Sequence, residues 1–310
     1  MHQSRNLAML SSCSALLGWD EQTYMPPGGA PHRSGQLALL AGLHHEKGTD
    51  PRFGALLELV EGSSIVEDRS TPEASNVREL RRAFDRLTRL PRSLVEELAR
   101  ATSLAQQAWV EARSAADFQA FRPHLETILR LKREESACLM EHPGAARADS
   151  QGLISPPFVS PYDPLLDEYE PDARAADLTA LFERLREDLV PLAAEILEAA
   201  RRQAGKLSGN QRQEGDEVAD SILNREYPVD RQKMFGEMVA ASVGFDFRRG
   251  RLDVTAHPFC TGIGPGDIRI TTRYDSKQFS DAFFGVLHEV GHGLYEQGLD
   301  PDQFGTPMGD

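Results

Sequence analysis

Residues 283–292 decide the fold, and they read FFGVLHEVGH. His288 and His292 are four residues apart, which on an α-helix corresponds to about 400° of rotation and about 6 Å of rise. Both imidazole rings therefore project from one face of a helix. The spacing of apolar residues predicts that this helix begins near Ser276 and ends at Gly298. We expect it to bury its large apolar side chains, namely Phe279, Phe283, Phe284 and Leu287.

The H-E-x-x-H pattern indicates a metal site built on that helix. Two imidazole nitrogens can bind one Zn²⁺, which suits nitrogen ligands and lowers the pKa of a bound water towards neutrality. Glu289 follows the first histidine and can accept the proton of that water during attack on a peptide carbonyl. The pattern predicts hydrolysis, with His288 and His292 as metal ligands and Glu289 as general base. The alternative is a pair of exposed histidines on an ordinary helix.

The third ligand of the predicted zinc site is not evident in the sequence. Catalytic zinc sites normally have three protein ligands. Glu296 lies about 12 Å of rise beyond His288, so the three ligands would follow one line along the helix instead of converging. We interpret Glu296 as a solvated carboxylate at the helix end. Asp300, Asp302 and Asp310 follow, and their spacing favours none of them.

The sequence before the motif predicts a small β-sheet beside the active-site helix. Residues 252–257 and 267–274 have the composition of extended chain, and the glycine-rich turn 262–266 joins them. Strand alternation predicts that Ile268 and Ile270 share one face of the second strand. The other face then carries the polar side chains Asp267, Arg269 and Thr271.

Most of the remaining sequence has helical periodicity. Apolar residues recur at helical spacing in 77–87, Ser93 can cap a helix through 94–112, and another helical region covers 234–243. Residues 142–172 and 205–215 are rich in turn-forming residues and predict loops.

One long apolar stripe runs along residues 178–196 in steps of three and four. We expect this stripe to pack against neighbouring helices, and a coiled-coil surface is the alternative. Pro191 lies inside the helix, where we expect a kink.

Composition favours a soluble globular enzyme and excludes several other classes. The 310 residues are 40% apolar, enough for a substantial core, and we treat 1–310 as one helical domain. A net charge of −14 opposes binding to nucleic acid or to an anionic membrane surface, and no apolar run is long enough for a membrane span. Three cysteines without a C-x-x-C pair suggest neither a disulfide framework nor a thiolate zinc site. We therefore expect a cytoplasmic protein.

Motifs outside the helix extend the pattern over nearly the whole chain. They are LGWD at 17–20 with Thr23 and MP at 25–26, YD at 162–163 and YEP at 169–171, GRLD at 250–253, HPF at 257–259, the D-x-R-x-T set of Asp267, Arg269 and Thr271, and the H-E-x-x-H helix continuing as GLYEQG to Gly298. With these motifs the sequence resembles the carboxypeptidase Taq family of zinc-dependent metallocarboxypeptidases.

The resemblance implies a fold and an activity. The fold would be mainly α-helical and zincin-like, with a deep substrate groove and usually a homodimer. The activity would be removal of single residues from peptide C-termini with broad specificity, using zinc or sometimes cobalt. By the motif match, His288 and His292 would bind the metal and Glu289 would act as general base.

The resemblance also implies that four further residues shape the substrate site near the metal, namely His257, Asp267, Arg269 and Thr271. For His257 the alternative is a buried histidine bonded to backbone. For Arg269 it is a structural ion pair near Asp267.

The sequence departs from the family pattern after the zinc helix. In the family a downstream glutamate is the third ligand, and a later motif supplies an arginine for the substrate's terminal carboxylate. The sequence ends at Asp310 before either, so we expect a domain that is incomplete at its C-terminus. Three hypotheses follow: a metallocarboxypeptidase, a related metalloendopeptidase or oligopeptidase, and a catalytically silent fragment that dimerises or binds peptide.

Overall fold

The computed structural model describes residues 2–140, 147–148, 154–155, 158–207 and 225–309. As predicted, most of these residues lie in α-helices. The helices are α1 (His2–Thr23), α2 (Ala30–Gly48), α3 (Pro51–Glu61), α4 (Pro72–Thr88), α5 (Arg92–Ser114), α6 (Phe118–Met140), α7 (Asp163–Leu166), α8 (Ala175–Leu207), α9 (Val229–Ser242) and α10 (Phe279–Gly298). Short 3-10 turns cover Pro27–Gly29, Ser64–Val66, Pro301–Gln303 and Pro307–Gly309.

Two small sheets accompany the helices. Strands β1 (Arg147–Ala148) and β2 (Ile154–Ser155) form an antiparallel pair. Strands β3 (Gly250–Val254), β4 (Cys260–Gly264) and β5 (Asp267–Thr272) form a sheet in the order β3-β5-β4, with β3 parallel and β4 antiparallel to β5. This sheet packs against α10, as the sequence predicted.

The glycine-rich segment 262–266 is not the long turn that we expected. Most of it belongs to β4, and the turn is reduced to Pro265 and Gly266, whose φ is +82°. Gly262 serves close approach instead, because a Cβ built on it would lie 2.7 Å from Glu296 Oε2. The strand therefore uses glycine to admit a carboxylate from α10.

Helix α10 begins at Phe279 and ends at Gly298, but its buried face differs from the prediction. The side chains that pack on the sheet are small: Ala282, Val286, Val290 and Gly293 are buried, whereas Phe284 is 65% exposed. Phe279, Phe283 and Leu287 are half-buried. The helix lies too close to β5 for aromatic rings, and a Cβ on Gly293 would lie 3.1 Å from Ile270 Cγ2.

The core beneath α10 combines residues from helix and sheet. Buried members of one cluster are Ala240, Phe245, Leu252, Ile268, Ile270, Val286 and Val290. The predicted placement of Ile268 and Ile270 on one buried face is confirmed. The helix that carries the two histidines is thus fixed on a rigid support.

The predicted helices over 77–87 and 94–112 correspond to α4 and α5, but the predicted cap of α5 is wrong. Helix α5 begins at Arg92, and Pro91 occupies the cap position with extended backbone geometry. Ser93 lies within the first turn. Proline fixes its own φ and so starts the helix without a side-chain cap.

Helix α8 covers the predicted stripe and continues through Pro191. The expectation that its stripe packs against neighbouring helices is wrong for the part of the chain described. Its apolar side chains are between 45% and 59% exposed, namely Leu181, Phe182, Leu185, Leu189, Leu192 and Ile196.

The two predicted loops are described only in part. The segment 142–172 contains β1, β2 and α7, and residues 205–207 are the last turn of α8. The rest of 205–215 lies outside the described residues. None of the described helices has the length and apolar character that a membrane span needs.

Candidate metal centre

Helix α10 presents both motif histidines on one exposed face. The Nε2 atoms of His288 and His292 are 3.3 Å apart, and the ring centroids are 4.9 Å apart with planes at 86°. The two Nε2 atoms are therefore close enough for one ion to contact both.

This nitrogen separation fits a zinc ion. Zinc held about 2.0–2.1 Å from two imidazole nitrogens at a tetrahedral angle separates those nitrogens by about 3.4 Å. The observed 3.3 Å agrees with that value. Within the described residues, no group of three or more His, Cys, Asp or Glu side chains is placed to hold a metal ion. His288 and His292 are thus two candidate ligands, and the described part of the chain provides no third.

Glu289 lies between the metal face and the sheet face of α10. It is 6% exposed, and burial raises the pKa of its carboxyl above the usual value, while the charges of His288, His292 and His257 act in the opposite direction. A carboxyl with a raised pKa accepts a proton more readily at neutral pH. Glu289 therefore has the environment of a general base.

His257 lies in the connection between β3 and β4, and it is exposed. Its charge influences the pKa of Glu289, and its ring meets Trp109 of α5 edge-on at a centroid distance of 6.2 Å. The exposed position does not fit a buried histidine bonded to backbone. A contact with substrate stays a prediction.

Trp109 is a residue that sequence reasoning missed. The Trp109 ring contacts His257, and the guanidinium carbon of Arg113, also on α5, lies 5.3 Å from the centroid of the Trp109 ring. Trp109 belongs to no motif, and its helical spacing does not distinguish it from a core residue. Its membership in a set of only two tryptophans was the one available signal.

Asp267 and Arg269 form an ion pair with each other. Arg269 donates to both carboxylate oxygens of Asp267, at 2.9 and 2.8 Å. The Arg269 guanidinium also lies 4.1 Å from the ring centroid of Trp19, and Arg251 covers the same ring at 5.1 Å. Three of the sequence motifs therefore meet at Trp19, which joins α1 to the sheet. This geometry agrees with the structural ion pair that we gave as the alternative for Arg269.

Thr271 is fully buried and bonds to the backbone of the H-P-F motif. Its hydroxyl donates to Phe259 O at 2.9 Å and accepts from Phe259 N at 2.8 Å. Thr271 was predicted on the polar face of β5, but its side chain is buried, because its hydroxyl bonds to the N–H and the carbonyl of Phe259 within the fold. The residue supports the segment that carries His257, and a direct contact with substrate has no support in its position.

Cys260 lies near two acidic residues of α10, Glu296 and Glu289. Burial, together with the charges of Glu296 and Glu289, raises the pKa of its thiol to about 12. The thiol stays protonated at neutral pH, so it is a poor nucleophile and a poor metal ligand.

Comparison with known proteins gives a consistent result. The family described as carboxypeptidase Taq (M32) metallopeptidase matches residues 1–310. The chain is 44% identical over 306 residues to thermostable carboxypeptidase 1 of Thermus thermophilus, with 99% of this chain and 56% of that protein covered. It is 29% identical over 308 residues to carboxypeptidase 1 of Bacillus subtilis, with 99% and 54% covered. The chain spans about half the length of the curated relatives it matches.

Solved structures share the fold. The BsuCP crystal structure matches with a TM-score of 0.81 at 29% identity, over 100% of this chain and 56% of that one. An M32 carboxypeptidase from Deinococcus radiodurans R1 matches with a TM-score of 0.74 at 36% identity, over 99% and 55%. The mainly helical architecture with a small three-stranded sheet is that of these enzymes, as the sequence predicted. The chain belongs to the carboxypeptidase Taq (M32) family of metallopeptidases.

Proposed function

We propose that this chain carries the metal-binding helix of a zinc metallocarboxypeptidase, which releases C-terminal residues from peptides with broad specificity. The observation that supports it is the 3.3 Å separation of the His288 and His292 Nε2 atoms beside the buried Glu289. Peptides are the substrate class. Zinc is the proposed metal and cobalt is a possible substitute. A cytoplasmic homodimer is part of the same proposal.

The chemistry follows from the positions of these side chains. His288 and His292 would hold the metal, which polarises a peptide carbonyl and lowers the pKa of water. Glu289 accepts a proton at a carboxylate oxygen during attack and returns it to the amide nitrogen that leaves. Its partial shielding from water favours the first of these steps, because burial raises its affinity for the proton.

The proposed substrate side lies towards His257. The exposed ring of His257 meets Trp109 edge-on, and its charge acts on Glu289, so an incoming peptide has polar and aromatic contacts close to the base. Thr271 and Arg269 would position this segment through Phe259 and Trp19.

A second candidate is a peptide-binding chain without catalysis. Two observations favour this candidate. The described residues contain only two candidate ligands, and the chain covers 56% of the Thermus thermophilus relative. Two imidazoles alone bind zinc more weakly than a completed site. A related endopeptidase is the remaining alternative, because H-E-x-x-H does not distinguish end from interior cleavage.

Metal content and peptide cleavage, measured on the same preparation, test the proposal. We expect zinc to bind, a peptide to lose its C-terminal residue, and Glu289→Gln to reduce the rate at least about 100-fold while zinc stays bound. Asp281→Asn, an exposed carboxylate on the same helix, is the matched control and should leave the rate unchanged.

Three outcomes separate the candidates. Undiminished cleavage by Glu289→Gln would disprove the general-base role. Cleavage of a peptide with a blocked C-terminus would identify an endopeptidase. Zinc or peptide binding without cleavage would identify the silent candidate.

A further inference from the structure

A cavity lies beside the C-terminal end of α10, about one helical turn beyond His292. Its volume is about 330 Å³, and it is enclosed by α1, α2 and α4 on one side and by β4 and the residues after α10 on the other. Sites for small molecules typically have volumes of about 300–1,000 Å³. The cavity is therefore large enough for a small metabolite.

Most of the cavity wall is apolar. Its main apolar side chains are Leu7, Phe53, Phe84, Leu87, Ile268 and Phe304. Gly48 lets α2 pack closely against Leu87 of α4, because a Cβ there would lie 2.8 Å from Leu87 Cδ1. Such a wall favours a ligand with a hydrocarbon part.

Arg249 adds a positive charge to this wall. The residue is half-buried, and its guanidinium has no hydrogen bond or ion pair with any residue that the structure describes. Its donors are therefore not used within the described part of the chain, and the planar guanidinium matches a carboxylate. Arg249 is thus suited to a ligand carboxylate.

Glu296 adds a negative charge to the same cavity. Its Oε2 atom lies 2.7 Å from the position that a Cβ on Gly262 would take, so the absence of a side chain at Gly262 lets the carboxylate reach the cavity wall. A carboxylate offers about four lone-pair sites and can accept an ammonium in addition to its own contacts. Glu79 lines the cavity as a further acceptor.

We propose that this cavity binds a free apolar amino acid of the size of leucine. The ligand carboxylate would pair with Arg249, its ammonium with Glu296, and its side chain would contact the apolar wall. This ligand class is inferred from the opposite charges and the hydrocarbon surface of one cavity, and it goes beyond the proposed peptidase activity.

The position of Glu296 gives the site a link to the metal centre. Glu289 and Glu296 are seven residues apart on α10, which is two helical turns, so both lie on nearly the same side of one rigid helix. A free amino acid also has the chemistry of the product that a carboxypeptidase releases. The proposed cavity and the metal face therefore share one rigid helix.

Calorimetric titration of the 310-residue chain with L-leucine tests the proposal. We expect saturable binding of one ligand per chain. Leucinamide, which lacks the carboxylate, 4-methylpentanoate, which lacks the ammonium, and glycine, which lacks the side chain, should each bind at least about tenfold more weakly. Equal binding of 4-methylpentanoate and L-leucine would overturn the role of Glu296, and no binding of L-leucine would overturn the proposal.

Variants locate the binding in this cavity. Arg249→Gln should weaken L-leucine at least about tenfold but leave leucinamide unchanged, and Glu296→Gln should weaken L-leucine without changing 4-methylpentanoate. The exposed neighbour Arg248 provides the control, and Arg248→Gln should bind like the parent. Unchanged L-leucine affinity in Arg249→Gln would disprove the site.

A further pair of measurements separates this site from the proposed peptidase. Glu289→Gln should bind L-leucine with the parent affinity, because the ligand does not contact the metal face. Loss of cleavage with retained leucine binding would leave the cavity proposal standing. Loss of leucine binding in Glu289→Gln, with unchanged circular dichroism, would overturn it.

Discussion

Thr271 is a buried side chain whose hydroxyl holds the segment that carries His257 in place. It both donates to and accepts from the backbone of Phe259. The Thr271→Val variant keeps the shape but leaves the Phe259 N–H without its partner. We expect the free energy of unfolding to fall by about 1–3 kcal/mol, the cost of a buried donor left unsatisfied. Urea unfolding followed by circular dichroism measures the change.

Thr261 provides the matched control for this substitution. It lies on β4, is half-buried, and its hydroxyl has no hydrogen bond to any residue that the structure describes. Thr261→Val should change the stability by no more than about 0.5 kcal/mol. An equal loss in both variants would show that the hydroxyl bonds of Thr271 are not the cause.

Cys260 and Cys13 should differ in their reactivity towards iodoacetamide. The pKa of the Cys260 thiol is raised to about 12, whereas Cys13 is exposed. Because alkylation needs the thiolate, Cys260 stays protonated and slow at pH 8, and its rate should keep rising with pH far above neutrality. Mass spectrometry of the digested protein after timed alkylation measures each rate.

Unfolding supplies the control for cysteine reactivity. In concentrated urea Cys260 and Cys13 should react at similar rates, because the burial and the neighbouring charges of Glu296 and Glu289 are lost. Similar rates already in the folded protein would contradict the burial of Cys260.

The geometry of the candidate metal ligands was predictable, and the residues that support the site were not. Two histidines at a helical spacing define their own geometry, so His288 and His292 needed only local sequence. Trp109 reaches His257 from another helix, and such a contact depends on the packing of α5. The inward turn of Thr271 likewise follows from a bond to a segment twelve residues away.

Helix α10 shows how two similar glycines differ in function. A Cβ at Gly293 would lie 2.7 Å from Phe245 Cε2, whereas one at Gly291 would meet nothing within 4 Å. We expect Gly293→Ala to lower the free energy of unfolding by about 1–3 kcal/mol through overpacking. Gly291→Ala should raise it by about 0.5–1 kcal/mol, because alanine is the better helix former.

Both variants flank His292, so they also test how the helix supports the metal face. Thermal unfolding gives the stability difference, and zinc titration reports whether the imidazoles keep their positions. Gly291→Ala should bind zinc like the parent. A loss of stability in Gly291→Ala equal to that in Gly293→Ala would disprove the close packing of α10 on the sheet.

The same close packing explains which element predictions failed. Apolar periodicity indicated that residues 279–287 are helical, but it weighted the large aromatic residues as the buried ones. The sheet admits only small side chains at this distance, so Val286 and Val290 are buried and Phe284 is exposed. In β4 glycine was taken for a turn, although it provides the room that Glu296 occupies. Both errors arise because burial depends on the element that packs alongside, and the local sequence gives no information about that element.

At the scale of the whole molecule, the exposed apolar face of α8 is the main unexplained surface. Soluble monomers rarely expose large contiguous apolar patches, so such a surface normally meets another protein surface. The chain matches its relatives over about half of their length, as in the 56% of the Thermus thermophilus protein that is covered. Among the described residues, no helix or strand covers the exposed apolar side chains of α8.

We expect the 310-residue chain to self-associate through α8. Six apolar side chains of the stripe are about half exposed, and burying them against a second copy is favourable by about 25 cal/mol per Å² of apolar surface. The double variant Leu185→Glu, Leu192→Glu places charges in the middle of the stripe and should lower the average mass in sedimentation equilibrium. The control is Ala180→Glu, Ala194→Glu, which adds the same charge on the opposite face of α8 and should leave the mass unchanged.

Because the family resemblance predicts a homodimer, a dimer that persists in the stripe variant would place that contact elsewhere. An equal fall in mass for both double variants would show that added charge alone, and not the apolar stripe, controls association.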